Sequence, residues 1–331
     1  MSKPSIQVIA IGNAIVDVMA PCADELIGRF GMTRGGMTLV DTDRANELYA
    51  AMGPARDISG GSAANTLAGL AALGSTCAFI GQVADDQLGE VFAHDIRAGG
   101  IRFDTPVRAG DPPTARCLIF VTPDGQRTMN TFLGASQFLP ADALDEAAIA
   151  DAEVLYLEGY LWDPEEPRAA MRRAIAAARG AGRKVAFTLS DAFVIARHGD
   201  DFRSMIAAGE IDILFANHIE LAALTGEDDF HAGIAALQDK VPLLVVTRSE
   251  RGAVAVTGGE LFEVPAEPVA TVVDTTGAGD LFAAGFLHGH VGGRPVSECL
   301  TLGAICAAEI ISHYGARPEA DLMDLIKRRM G

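Results

Sequence analysis

Apolar runs of strand length alternate with Ala-rich helical patterns through most of the chain, and that alternation decides the fold class. Ile6–Ile11, Cys77–Ile80, Val154–Leu157, Val185–Leu189, Ile213–Phe215 and Leu243–Thr247 read as buried strands. Between them lie helical patterns near Asn65–Leu73, Leu88–Ala98, Pro167–Ala181, His218–Leu224 and Ala232–Gln238. Buried β-branched runs separated by helices imply a mostly parallel, doubly wound α/β sheet with helices on both faces. The 331 residues suit a single large domain of that kind.

Two segments break the rhythm. Ile15–Val40 and Phe103–Phe132 carry short or alternating strand patterns punctuated by Gly and Pro. The second holds a hairpin: Cys117–Val121, a turn over Thr122–Gln126, then Thr128–Phe132, with Pro123 and Gly125 at positions whose dihedrals they suit. A small β-sheet lid built discontinuously from residues 14–40 and 103–134 is expected on the main body. The charged tail Asp321–Arg329 reads as a solvated amphipathic helix.

Composition excludes several functions. Hydrophobic residues make up 49% and charged residues 21%, a globular balance that argues against disorder. Apolar runs such as Val241–Val246 are far too short to span a bilayer, and the N-terminus shows no signal-peptide pattern. Five scattered cysteines without a CxxC fit buried thiols in a reducing cytosol, so a cytoplasmic protein is expected. A net charge of −18 with no basic stripe disfavours nucleic acid as a partner. A small-molecule substrate remains the natural ligand.

The chemistry concentrates in Asp274-Thr275-Thr276-Gly277-Ala278-Gly279-Asp280, which precedes a helix-forming stretch and follows strand-like Ala270–Val273. A Gly-rich turn opening onto a helix N-terminus presents unpaired N–H groups and the positive end of the dipole, a place for phosphate. Asp280 at its rim is positioned to accept a proton from an incoming hydroxyl. A dinucleotide fingerprint would need Gly where Phe282 stands, and no Gly-Lys-Ser/Thr of a Walker loop occurs. The plain alternative is a capped helix in which Asp280 serves only the dipole.

Companion motifs carry the same two-sided reading. Ser59-Gly60-Gly61-Ser62-Ala63-Ala64-Asn65 opens another helix. It is either a turn capped by Ser62 or a neighbour, or a site where a polyhydroxy ligand approaches bare backbone beside Asn65. Asp85 and Asp86 read as helix N-caps. Asp17, four residues after Gly12-Asn13 in an otherwise apolar strand, needs a partner, either ligand hydroxyls or a backbone amide. Asn217 and Glu220 fit a capping box and also an outer-shell magnesium site, and the two are compatible.

These pieces, in this order, resemble the ribokinase/PfkB family of carbohydrate and nucleoside kinases from about Val8 to Pro318. The most specific stretches are Gly60–Gly89 (GGSAANTLAGLAALGSTCAFIGQVADDQLG) and Asp274–Asp280 (DTTGAGD), with Asn217–Glu220 between them. The resemblance implies a ribokinase-like core with a β lid, and ATP-dependent phosphoryl transfer to an alcohol with Asp280 as base. It implies an anion hole from the amides of Gly277, Ala278 and Gly279, and magnesium and phosphate organised through water by Asn217 and Glu220. Asp17, Gly60, Gly61 and Asn65 would grip the acceptor, Asn13 would line its pocket, and Arg127 would be a lid arginine near the phosphates. Nucleotide contacts would fall at Thr247, Ser249 and Gly252, where the family commonly has Thr-x-Gly-x-x-Gly and this chain has Ser249 at the first Gly. A potassium or sodium ion near Asp274 and the Gly315 region, and a homodimer through the lid, are further implications.

Within the family, Gly12-Asn13-Ala14-Ile15-Val16-Asp17, Met37-Thr38-Leu39-Val40-Asp41 and Arg127-Thr128-Met129-Asn130 resemble the adenosine-kinase-like branch. Ribokinases usually carry Lys where Ser62 stands, and fructokinase-like members Glu where Asn13 stands. A nucleoside acceptor, adenosine first, is therefore expected, with a ribokinase- or fructokinase-type sugar kinase as the alternative. A non-catalytic nucleotide- or sugar-binding regulator is the rival from another class, and Asp280 argues against it because a pure binder needs no base.

Overall fold

The computed structural model describes residues 4–330. The apolar runs form the middle of a nine-stranded sheet whose seven parallel members are β1 (Ile6–Ile11), β5 (Cys77–Ile80), β6 (Ile101–Phe103), β9 (Ala152–Glu158), β10 (Lys184–Thr188), β11 (Ile213–Asn217) and β12 (Leu243–Thr247). The antiparallel strands β13 (Ala253–Thr257) and β14 (Glu260–Val264) extend one edge, giving the order β14-β13-β12-β11-β10-β9-β1-β5-β6. Successive residues of β1 feed opposite cores. Val8 and Ala10 pack with α3 (Ser62–Ala72), α10 (Ala278–Val291) and α11 (Val296–Ile310), whereas Ile9 and Ile11 face the layer of α5 (Glu146–Asp151), α6 (Glu165–Gly180) and α7 (Ala192–Ala207). The helices α8 (His218–Thr225) and α9 (Phe230–Leu237) complete that second layer. Burial on both faces is why these strands read as unbroken apolar runs. No described helix is long and apolar enough to cross a membrane, and the five cysteines are free.

β1 lies between β9 and β5, so the strand order reverses beside it, which is where ligands bind in open α/β sheets. Over that edge sits a five-stranded lid in the order β3-β8-β7-β2-β4, made of β2 (Ile15–Pro21), β3 (Met37–Leu39), β4 (Arg56–Gly60), β7 (Ala115–Val121) and β8 (Arg127–Phe132). The β7–β8 hairpin falls where its turn residues predict.

The lid has more pieces than expected. Residues 42–60 contribute α2 (Thr42–Ala51) and β4, and the short α1 (Asp24–Arg29) interrupts the segment read as strands. Phe103 belongs to the main sheet, packed 5.4 Å from Phe92 and 6.0 Å from Phe79, and is no part of a lid wall. Ala270–Val273 forms no strand; it is an extended strap tied to the body where the Val273 N–H donates to the Ile311 carbonyl at 2.8 Å. A terminal helix, α12 (Leu322–Met330), seats Leu322 and Ile326 against the first core.

Strand alternation gives the lid two unlike faces. Val16, Val18, Leu118 and Phe120 pack with Ile27 of α1, Leu48 of α2 and Phe92 and Ile96 of α4 (Gln87–Ala98), so one face is covered by the chain's own helices. The opposite face carries the rows Asp17–Cys117–Thr131–Leu39 and Met19–Ile119–Met129–Met37. On β4 the rows continue to Ile58 and Arg56, so their charges are Asp17 and, at the edge, Arg56, with Arg127 one row further along β8.

Candidate active site

Asp280 lies in the first turn of α10, where Gly277 takes φ +78° to start the helix. A side chain at Gly277 would reach within 2.9 Å of the Ala316 methyl, so the turn is closed off from behind. The Ala278 N–H is used within the turn, 3.2 Å from the Thr275 carbonyl. The amides of Gly277 and Gly279 have no partner among the described residues, which leaves two of the three expected anion-hole donors open. The Asp280 carboxylate points across to the start of α3: Oδ1 accepts from Ser62 Oγ at 2.6 Å and Oδ2 from Asn65 Nδ2 at 3.1 Å. Burial raises its pKa, and those two hydrogen bonds and the Arg317 charge oppose the rise. A half-buried carboxylate moved towards neutrality is suited to collecting a proton.

Ser62 is therefore no cap. Gly61 is the N-cap of α3 at φ +100°, with the Asn13 carbonyl so close that any side chain would collide with it. The open first turn is satisfied instead by Glu158 at the end of β9, whose Oε2 accepts from the Ala63 N–H at 2.8 Å. Glu158 Oε1 takes both the backbone N–H and the side-chain Nδ2 of Asn13, each at 2.7 Å, and Asn13 Oδ1 accepts from Ser136 Oγ at 2.8 Å. Asn13, 4% exposed, thus spends both ends of its amide inside the protein. Glu158 is fully buried and its pKa is pushed up to about 7, desolvation outweighing the three donors.

Asp17 faces these groups from the lid. A Cβ on Gly60 would stand 2.6 Å from Asp17 Oδ2, so the carboxylate lies directly over the Gly60-Gly61 backbone. It has no hydrogen-bond donor among the described residues. Burial pushes its pKa up to about 6 against the pull of Arg127 and Arg317, with Asp280 adding to the rise. Asn65 Oδ1 is likewise buried without a partner. Acceptors left open beside a candidate base call for a ligand that brings hydroxyl donors.

Arg127 and Asp274 are brought together as a buried ion pair, side chains 6% and 8% exposed. Asp274 Oδ2 also accepts from the Gly315 N–H at 3.1 Å, and Oδ1 from the Thr276 N–H at 3.0 Å and Oγ1 at 2.8 Å. With both oxygens engaged and a guanidinium already on one, the Asp274 carboxylate does not fit the monovalent cation expected there. Like charges would meet in a buried space.

Among the residues expected to meet nucleotide, Asn217 and Thr247 pair in the β11–β12 ladder. Ser249 takes the left-handed φ of +53° that the missing glycine would have supplied, and Gly252 turns the chain back so that the Arg248 N–H meets its carbonyl at 2.7 Å. Asn217 and Glu220 form the expected capping box: Glu220 accepts from the Asn217 N–H at 3.0 Å and Nδ2 at 2.6 Å. Burial pushes the Glu220 pKa up to about 7. No group of three or more His, Cys, Asp or Glu able to hold a metal occurs among the described residues. The pair fits magnesium only through intervening water. Asp86 caps α4 through the Gly89 N–H at 2.8 Å, while Asp85 caps nothing and instead its N–H meets the Arg108 carbonyl. A hollow of about 620 Å3 between α4 and β6 is lined by Asp85, Asp86 and Gly89 and by none of the groups around Asp280.

Two residues here escaped the sequence reading. Glu158 had a faint signal, an acid closing the buried run Val154–Leu157. Arg317 had none. Its guanidinium donates to the Ser59 carbonyl through Nε at 2.9 Å and Nη2 at 2.7 Å, and to the Ala64 carbonyl through Nη1 at 2.8 Å.

A doubly wound core, a β lid and a carboxylate at a Gly-rich helix start define a ribokinase-type phosphotransferase. The family model for pfkB family carbohydrate kinases matches residues 38–322, and the chain belongs to that family. Kinases of this family use ATP and act on small molecules. The chain is 46% identical to adenosine kinase from Sinorhizobium meliloti, with a TM-score of 0.91 over 99% of this chain and 100% of that one. It is 43% identical to a probable sugar kinase from Rhizobium etli CFN 42, with a TM-score of 0.92 over 99% of each chain. A fructokinase from Klebsiella pneumoniae is 29% identical over 82% of this chain and 91% of its own length.

Proposed function

We propose that this kinase transfers the γ-phosphoryl group of ATP to a hydroxymethyl group of a nucleoside, with adenosine the first acceptor to test. The observation that carries the reading is the pairing of open acceptors, Asp17 and Asn65 Oδ1, with Asp280 at the phosphate turn. The apolar lid side chains Ile119, Met129 and Met37 suit a heterocyclic base better than a bare sugar, whose every edge asks for a polar partner. The likeness to an adenosine kinase at 46% identity points the same way.

Asp17 and Asn65 orient the acceptor's ring hydroxyls, which brings its terminal hydroxyl to Asp280. Asp280 releases its hold on Ser62, accepts the hydroxyl proton and aims the oxygen at the γ-phosphorus. The Gly277 and Gly279 amides stabilise charge on the transferring group, and Thr247, Ser249 and Gly252 seat the nucleotide. Magnesium, held through water by Asn217 and Glu220, would neutralise the phosphate charge. Phosphoryl transfer asks little more of a protein than this alignment and charge stabilisation.

A coupled ADP-release assay with adenosine, inosine, ribose, fructose and 2-keto-3-deoxygluconate tests the reading. Adenosine is expected to give the highest kcat/KM. Turnover with ribose or fructose alone would replace the nucleoside with a sugar, and no ADP release with any acceptor would favour a binding protein.

A further inference from the structure

The Arg317 side chain does something that its neighbours do not. All four of its hydrogen bonds go to neutral oxygens: the Ser59 carbonyl twice, Ser59 Oγ at 3.1 Å and the Ala64 carbonyl. No carboxylate among the described residues forms an ion pair with it. Burial lowers its pKa only to about 10, so it stays charged at neutral pH. A half-buried guanidinium with no carboxylate in ion-pair contact costs stability, and such a cost persists where the charge serves a purpose.

Its bonds span the acceptor site. Ser59 ends β4 on the lid, where it pairs with Val16 beside Asp17, and Ala64 lies in the first turn of α3 between Ser62 and Asn65. Gly60 and Gly61 form the backbone between the two anchors. The Asp280 contacts Ser62 and Asn65 therefore sit on the α3 segment that the guanidinium ties to β4, and Asp17 sits on β2, the strand paired with β4, opposite Ile58. The loop that carries it also touches the phosphate turn, through Ala316 behind Gly277 and the Gly315 N–H on Asp274.

We propose that Arg317 is a positioning residue for phosphoryl transfer: its planar fork fixes the spacing between the end of β4 and the start of α3, and its charge is shared among Asp17, Asp280 and Asp95, whose Oδ2 accepts from the Ser59 N–H at 3.1 Å. The proposal rests on the kinase reading of the site. Besides burial, Asp280 is acted on by the hydrogen-bonding Ser62 and Asn65 and by Arg317, and its own charge acts on Glu158, Tyr156 and Tyr160 from β9 and the turn after it. Asp17 is acted on by Arg127, Arg317 and Asp280, and its own charge acts on Cys117. Arg317 is the cation common to both acids. Arg127 lies against Asp274 instead.

The two roles separate by substitution. Arg317→Lys keeps the charge and loses the fork, because an ammonium cannot make the same planar set of bonds. Arg317→Gln loses the charge. Each is assayed for kcat and acceptor KM between pH 5 and 9, beside the wild type, together with Kd for a fluorescent ATP analogue and thermal melting. Arg317→Lys is expected to raise acceptor KM about tenfold or more with the acid limb of kcat/KM unmoved. Arg317→Gln is expected to raise KM similarly and to move that limb to higher pH by about one unit, because an acid that loses a nearby cation holds its proton longer. Nucleotide Kd should stay within about twofold of the wild type in both. Identical acid limbs in wild type and Arg317→Gln would overturn the charge role, and an unchanged KM in Arg317→Lys the spacing role. If Arg317→Lys fails to fold, or loses nucleotide affinity in step with activity, the guanidinium is a general brace and the proposal fails. A wild type that phosphorylates nothing defeats the kinase reading instead, a result that no Arg317 variant can mimic.

Discussion

Replacing Asp280 by Asn removes the proposed base while keeping its shape, and the site shows why that change should spare the fold. Asp280 accepts one hydrogen bond from Ser62 Oγ and one from Asn65 Nδ2. An Asn there offers its oxygen to Asn65 and its NH2 to Ser62, whose hydroxyl rotates to accept, so neither contact is orphaned. The charge itself is a burden on stability. Burial raises the Asp280 pKa, so the folded state favours the protonated acid, and stability present at low pH is lost as pH rises through the folded value. A neutral Asn lifts that loss. Asp280→Asn should therefore melt at the wild-type temperature or above it at pH 8, bind nucleotide normally, and lose about 10²–10⁴-fold in kcat. The assays are ADP release at saturating acceptor, calorimetric nucleotide binding and a thermal melt on one preparation. Turnover within about tenfold of the wild type would remove Asp280 from proton transfer. A large fall in melting temperature would show that the carboxylate holds the structure together and that the lost rate says nothing about chemistry.

Gly60→Ala places a methyl 2.6 Å from Asp17 Oδ2 and must turn that carboxylate aside; kcat/KM for the acceptor should fall about a hundredfold while nucleotide Kd holds, and an unchanged acceptor KM would clear Asp17 of a binding role. Arg127→Met leaves a carboxylate buried without its cation and should cost about 3–5 kcal/mol in urea unfolding. Arg127→Met/Asp274→Asn should recover at least about 1 kcal/mol of that sum, and strict additivity would mean that the pair does not couple. Burial raises Glu158 and Glu220 to about 7 and Asp17 to about 6, so the stability tied to their protonated forms is lost as pH rises through about 6 to 7. The urea midpoint of the ligand-free protein should accordingly fall between about pH 5.5 and pH 8, and a rise over that interval would contradict the assignment.

The strands of the main sheet were legible because burial on both faces writes itself as an apolar run: β1, β5 and β12 fall where the sequence puts them. The lid was harder to read. Arg56-Asp57-Ile58-Ser59-Gly60 carries no such run, since β4 is an edge strand whose first two residues are exposed, and α2 before it looks like any polar surface helix. Ala270–Val273 deceived in the other direction. Its composition is that of a strand, but it pairs with no strand among the described residues, and Val272 remains 54% exposed. At the site, the Gly-rich turns and Asp280 announce themselves through local chemistry, which spacing can carry. Glu158 and Arg317 act across 95 and 258 positions, as cap for Ala63 and as clamp on Ser59, and a contact between distant segments leaves no periodicity to read.

The clamp from Arg317 to Ser59 ties the order of synthesis to the onset of function. A nascent chain still on the ribosome can complete the whole parallel core, since β12 ends at Thr247, yet it has neither Asp280 nor the cation behind it. Long-range closure of this kind is slow and comes late. An incompletely translated copy, or one clipped ahead of α10, would thus retain much of the sheet and lack both Asp280 and Arg317.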